Sequence, residues 1–198
     1  EVSVRVQGTV ETEDLAGVLR GHREIVAPDC YLRETSPTRV DVALAALSAT
    51  ASGPDNLALA HALSAAVSAA IAYRPGVTHA HTTAAEALAL GEGVCQDHAH
   101  ALIACARSRG IPARYVSGYL FATEDGAPHE AAHAWAELYI PGLGWVGFDP
   151  ANRTCPDAGY IRLGSGFDAQ DAAAIRGIAR GGAGEAMDVT VAVQQSAQ

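Results

Sequence analysis

The stretch Gly93-Val94-Cys95-Gln96-Asp97-His98-Ala99-His100 decides how this chain is read. A glycine-punctuated turn opens into an apolar-periodic run in which Leu102, Ile103 and Ala106 share one helical face. Cys95 therefore falls in the first turn of a helix. The first N–H groups of a helix lack partners within it, and the helix dipole adds positive potential at that end. Both effects favour thiolate over thiol, and a thiolate is a nucleophile. Arg107 and Arg109 suit the negative end of the same helix, and Gly110 followed by Pro112 stops it.

Two stretches downstream supply partners for such a thiol. In His133-Ala134-Trp135-Ala136-Glu137-Leu138-Tyr139-Ile140, alternate residues share a strand face. Pro141-Gly142-Leu143-Gly144 makes a turn, and Trp145-Val146-Gly147-Phe148-Asp149 returns, bringing Asp149 back toward His133. A cysteine that attacks an amide needs a base to take its proton and later protonate the leaving amine. It also needs a carboxylate to fix the imidazole tautomer. By spacing alone, Cys95, His133 and Asp149 fit that requirement. They also fit a blander one: a hydrogen-bonded strand histidine, and a turn carboxylate before Pro150.

The remaining elements follow from periodicity and punctuation. Residues 1–10 alternate Val2, Val4 and Val6 with polar neighbours, which predicts a half-buried strand. Val40 to Ala51 reads as a helix. Gly53-Pro54-Asp55 restarts one, with proline suited to the first turn, and it runs through Leu59, Leu63, Val67 and Ile71 until Arg74-Pro75-Gly76. Thr83 and Glu86 have capping-box spacing ahead of a short helix to Leu90. Tyr115–Phe121, His133–Ile140, Gly144–Phe148 and Val189–Val193 read as strands, and Asp157–Gly184 reads as less regular. Helices first and an antiparallel-type sheet afterwards make an α+β fold.

Composition narrows the function. The 198 residues suffice for one domain with a substantial core. A net charge of -9 argues against nucleic-acid and anionic-membrane partners. No apolar run approaches a membrane span, and no signal peptide is visible, although the chain begins at Glu1. All thirteen basic residues are arginine, so the chain offers no lysine amine of its own as an acyl acceptor. Cys30, Cys95, Cys105 and Cys155 form no C-x-x-C pair, which fits a reducing, cytoplasmic setting. Cys105 reads as a buried apolar residue, and Cys30 and Cys155 receive no role.

Several motifs together resemble the bacterial transglutaminase-like superfamily, a papain-like cysteine fold. They are Tyr73-x-Pro75-Gly76-x-Thr78, Gly91-x-Gly93-Val94-Cys95-Gln96-Asp97, Gly110-Ile111-Pro112-Ala113-Arg114-Tyr115-Val116-Ser117-Gly118-Tyr119, His133-Ala134-Trp135, and Gly144-Trp145-Val146-Gly147-Phe148-Asp149-Pro150. They occur in the family's order and cover roughly residues 55–152. The resemblance implies Cys95 as nucleophile, His133 as base and Asp149 as orienting acid, with no metal or other cofactor. It implies a catalytic domain over 38–198, with 1–37 as the tail of an upstream β domain or a linker. There are departures: His98 stands where an aromatic residue is common, Ala151 where threonine is common, and Gly166-Phe167-Asp168-Ala169 lacks the arginine and tyrosine of a Gly-Arg-Asp-Tyr-like stretch.

The Cys95 backbone N–H is the natural first oxyanion donor, with Tyr73 and Gln96 as side-chain candidates. Tyr119, Trp135 and Trp145 are candidates for the cleft wall, with core packing the competing reading. His129-Glu130-Ala131-Ala132-His133 matches the zinc-protease pattern H-E-x-x-H. The alternation after His133 reads as a strand, however, and there residues i and i+4 stand about 13 Å apart, too far to share a metal. The expected chemistry is thiol-dependent acyl transfer on amide bonds of a peptide or protein. Hydrolysis is favoured over protein-glutamine transglutamination, with a non-catalytic binding module as the third reading. Oligomeric state is not legible.

Overall fold

The computed structural model describes residues 3–121, 132–174 and 190–193. Four α-helices precede a four-stranded antiparallel sheet. The helices are α1 (Val42–Thr50), α2 (Asn56–Ala70), α3 (Ala84–Leu90) and α4 (Cys95–Ser108). The strands of the sheet are β3 (Ala113–Leu120), β4 (Ala132–Ile140), β5 (Gly144–Phe148) and β6 (Tyr160–Gly166), in the order β5-β4-β3-β6. Two short parallel strands, β1 (Ala72–Tyr73) and β2 (Glu92–Gly93), lie among the helices.

The helix starts obey local chemistry. Asp41 caps α1 and Asp55 caps α2, each carboxylate accepting an N–H 2.8 Å away. Pro54 therefore precedes the cap instead of occupying the first turn. Thr83 and Glu86 form the expected capping box on α3, and Gly91 closes that helix in the left-handed conformation at φ 70°. The α2 helix stops at Ala70, short of Arg74-Pro75-Gly76, because Ala72 and Tyr73 pair instead with Glu92 and Gly93.

Helix α4 is the centre of the molecule. It packs on β4 and β3, and α1, α2 and α3 surround its other sides. Every residue from Asp97 to Arg107 is consequently buried, well beyond the single apolar face expected. At its C-terminal end Arg107 donates to the carbonyls of Tyr31, Ala113 and Phe167, and Arg109 to those of Ser48 and Ala51. Both arginines thus tie neighbouring elements to the helix terminus.

The opposite face of the sheet is covered by the N-terminal segment. Val18 bridges Val146, and the Leu19 N–H donates to Trp145 O at 2.9 Å, so this segment lies along the free edge of β5. Tyr31, in a 3₁₀ turn (Pro28–Leu32), packs edge-on against Trp145. Beneath lies a buried ion cluster: Arg114 and Arg162 both donate to Glu137, and the Arg114 guanidinium stacks 4.0 Å from the Trp145 ring. Residues 3–10, expected as a strand, form none; Val4 and Val6 are exposed, with no sheet edge to bury their alternate face. Residues 190–193 form no strand either, and Val189 lies outside the described residues.

The fourth strand arises where irregular structure was expected: Tyr160–Gly166 pairs with β3 across a bulge at Ser117/Gly118. Gly118 is required there. A Cβ at this position would collide with Ile161 O and stand 2.5 Å from the Trp135 ring. Gly118→Ala therefore lowers unfolding free energy by about 1–3 kcal/mol, read as a shift in urea midpoint. It also displaces Trp135 against His133.

Candidate active site

The site begins at the N-terminus of α4, where Cys95 is the first helical residue and Val94 the cap. Valine has no side-chain acceptor, so Asp97 does the capping work from inside. Its carboxylate reaches back to the Val94 N–H at 2.8 Å and takes a second bond from the Thr78 hydroxyl at 2.6 Å. Gly93 leaves room for this, since a Cβ there would stand 2.7 Å from the Asp97 carboxylate. His98 adds an anchor that its sequence position did not announce. Its two ring nitrogens lie 2.9 Å from Val94 O and 2.8 Å from Ile71 O, joining the cap of α4 to the end of α2. Cys95 therefore sits on a helix end held from three directions, with the unpaired first-turn N–H groups around it.

His133 stands near the start of β4, opposite Gly118 on β3. Its Nε2 lies 2.6 Å from Asp149 Oδ2. Asp149 follows β5 directly and is fully buried. The same Oδ2 accepts from Asn152 Nδ2 at 2.7 Å and from the Tyr160 hydroxyl at 2.8 Å. Since Asp149 occupies Nε2, Nδ1 is left for the thiol, and the Cys95 side chain is within hydrogen-bonding reach of the ring. Helix α4, β4 and the end of β5 thus bring sulfur, imidazole and carboxylate together.

Electrostatics follow from this packing. Burial alone would lower the His133 pKa, but the hydrogen bond to Asp149, then the one to Cys95, and the charges of both outweigh it and raise it to about 9. Burial would raise Asp149, yet the His133 bond and charge, with the donors Asn152 and Tyr160, hold it below the usual carboxylate range. The pair therefore favours imidazolium beside carboxylate at neutral pH. By contrast, burial pushes the Cys105 thiol up to about 12 and raises Cys155, which leaves both mostly protonated.

The other expected site residues divide. Trp135 stacks on His133 with ring centres 6.3 Å apart and meets Tyr160 edge-on at 5.4 Å. It is almost wholly buried, so it braces the histidine from behind. Trp145 does not reach the site. It pairs with Tyr139 at the far end of β5, four positions before Asp149, about 13 Å away. Its indole is core, packed between Tyr31 and Tyr139. Tyr119 is half-buried at the His133 end of the sheet, paired with Ala132, and so on the α4 face. Tyr73 pairs with Gly93 just before Cys95 and is exposed. Gln96 directs its amide to the carbonyls of Ala80 and His79, at 3.4 and 3.5 Å. As for the zinc pattern, His133 is in a strand, while His129 and Glu130 lie outside the described residues.

Asn152 and Tyr160 were missed by the sequence reading. Asn152 has a weak local signal: three residues after Asp149, its backbone N–H also donates to Asp149 Oδ1 at 3.2 Å, as in turns led by aspartate. Tyr160 has none, because only the pairing of β6 with β3 delivers it. Tyr160→Phe removes one charge-assisted bond and keeps the ring, so it costs about 1–2 kcal/mol of stability by urea unfolding.

The model of the transglutaminase-like superfamily matches residues 44–150, more than half of the chain. The chain belongs to that superfamily. An uncharacterized protein of Mycobacterium leprae is 38% identical over 129 residues, covering 63% of this chain and 46% of that one. An uncharacterized protein of Mycobacterium tuberculosis is 42% identical over 117 residues, covering 54% and 37%. This chain thus spans less than half the length of these curated relatives. A Pseudomonas aeruginosa protein named protein-glutamine gamma-glutamyltransferase is 35% identical over 71 residues, 33% of this chain and 11% of that one. A crystal structure from Cytophaga hutchinsonii, provisionally named a cysteine protease, superposes with a TM-score of 0.63. It is 27% identical and covers 82% of this chain and 56% of that one. The α+β, papain/transglutaminase-like architecture expected from the motifs is the observed one.

Proposed function

We propose that this transglutaminase-like protein transfers acyl groups from amide bonds through Cys95, with water as the usual acceptor. The observation that carries the reading is the His133 ring bonded to Asp149 at 2.6 Å, with Cys95 at the start of α4 close enough to help raise the pKa of that ring. The attacking pair carries its proton on His133 rather than on the sulfur, and the Cys95 thiolate forms a C–S bond to the amide carbonyl. The tetrahedral oxyanion forms next to the Cys95 backbone N–H, with Tyr73 the side-chain donor best situated to join it. Collapse breaks the C–N bond, and the imidazolium proton leaves with the amine. His133 then deprotonates water, which attacks the thioester, releases a carboxylate and restores the thiol.

Two names among the relatives support the two acceptors: the Cytophaga protein is named for peptide hydrolysis, the Pseudomonas protein for transfer to an amine. The second reading, protein-glutamine transglutamination, rests on the latter name. The net charge of -9 supports a peptide or protein substrate over nucleic acid. A peptide library incubated with and without a primary amine, then read by mass spectrometry, separates the outcomes. Cleavage or deamidation without the amine is expected. Adducts appearing only with the amine would move the assignment to transglutaminase. Unchanged peptides in both arms would leave a binding module.

A further inference from the structure

Beside the Asp149 loop lies a cavity of about 650 Å³ that contains neither Cys95 nor His133. One wall is α2, with His61, Ser64 and Ser68; the floor is Phe148; the other wall is Arg153 and Cys155. None of its lining residues is acidic among the described residues, in a chain with 22 aspartates and glutamates. It is of the size that takes a peptide side chain with its neighbours.

The charged group here is Arg153. Its Nε donates to Ser68 Oγ at 3.1 Å, which ties the guanidinium to α2. Its terminal nitrogens have no partner among the described residues. The residue holds φ at 58°, a left-handed conformation in which glycine or asparagine is at ease and arginine is strained. Local geometry does not ask for arginine at that point. The loop is also not free to relax. The Asp149 N–H donates to Thr154 O at 2.9 Å, and the Thr154 N–H returns to Asp149 O at 3.2 Å. The segment that aligns the catalytic carboxylate therefore carries Arg153 to the cavity rim. A guanidinium with two free nitrogens matches a carboxylate in a bidentate arrangement, and Ser64 and His61 can donate beside it.

We infer that this cavity is a substrate subsite for a peptide carboxylate, an Asp or Glu side chain flanking the reacting amide, with Arg153 as its specificity-determining contact. The inference rests on the acyl-transfer reading above for its role in turnover, but binding can be read without turnover. The test uses Cys95→Ala protein and fluorescent octapeptides, each with one reactive Gln and a single Glu placed in turn at every flanking position. Each has a twin in which Ala replaces that Glu. At one position the Glu peptide binds about tenfold more tightly than its twin. Arg153→Gln and Arg153→Gly both erase that difference and leave the twin's affinity unchanged. Arg153→Gly also melts higher than Arg153→Gln, because it relieves the left-handed backbone. Equal affinity of every pair on the parent protein overturns the subsite. So does a preference that survives both Arg153 variants, or a loss of affinity shared equally by Glu peptide and twin, which marks a loop-pinning role. A binding preference that persists while the Cys95 protein turns over neither peptide counts against acyl transfer and leaves the subsite standing.

Discussion

Cys95→Ala protein folds normally and loses turnover by about 10⁴-fold or more, the scale seen when a covalent nucleophile is removed. The size of the effect follows from the role proposed for Cys95: without sulfur no thioester forms, and the remaining N–H donors and His133 have no nucleophile to serve. Stability changes by less than about 1 kcal/mol, because the half-buried thiol caps nothing and α4 keeps its anchors at Asp97 and His98. The measurement is single-turnover kinetics on the best library peptide, beside a urea melt. A parallel result is expected from iodoacetamide labelling of the native protein, followed cysteine by cysteine. Cys95 is modified first. Cys30 is exposed and serves as the reference for an ordinary accessible thiol. Cys105 is fully buried, with its pKa pushed up to about 12, and stays unmodified until the protein unfolds. If Cys95 reacted no faster than Cys30, the helix end and the His133 contact would not be activating it.

Asp149→Asn lowers kcat by roughly 10³–10⁴-fold while changing almost no volume, a magnitude expected when the group orienting a catalytic histidine becomes neutral. The pH profile carries the more specific signature. In the native protein the His133 pKa is raised to about 9, so the imidazolium persists below that pH and is lost above it. The alkaline limb of kcat/KM reports that loss of the imidazolium proton. Asparagine removes the charge and the strongest acceptor that raise the imidazolium, while burial continues to disfavour it. The alkaline limb therefore moves to lower pH. A limb that stays near the native value in the variant would show that His133 is not the group setting it. Asn152 and Tyr160 sharpen the expectation. Both donate to Asp149 Oδ2, and with an amide in its place those donors compete with its own N–H₂ group, so the side chain turns and the ring loses its tether.

The start of α3 was legible because it is a local event: Thr83 and Glu86 satisfy each other's neighbours, with no distant partner needed. The start of α2 was placed with Pro54 in its first turn, whereas Asp55 caps it by accepting from the Ala58 N–H. The strands His133–Ile140 and Gly144–Phe148 were legible for a similar reason: alternation is set by burial on the pleat, and Gly142 and Gly144 supply left-handed turn positions between them. Alternation failed at Val4 and Val6, where the pattern is just as clean. Periodicity states which face could be buried but supplies nothing to bury it against. The strand Tyr160–Gly166 failed in the opposite sense. Its glycines read as irregular, and pairing with Tyr115–Leu120 overrides that preference.

The same division runs through the site. Cys95, His133 and Asp149 could be named from residue types, turn spacing and family motifs, since a thiol at a helix start and a hairpin returning a carboxylate are local facts. Which other side chains share the site is not local. Tyr160 reaches Asp149 because β6 pairs with β3, and Trp135 braces His133 because Gly118 leaves room for the indole. Trp145 has the same residue type as Trp135 and lies in an equally motif-like stretch, yet the N-terminal segment and Tyr31 cover it at the far end of β5. Element type and the candidate trio were thus readable in short-range chemistry and motifs, where one residue constrains the next few. The supports of the trio, the fate of each aromatic ring and the cavity at Arg153 came from contacts between elements far apart in the chain, and only folding brings those together.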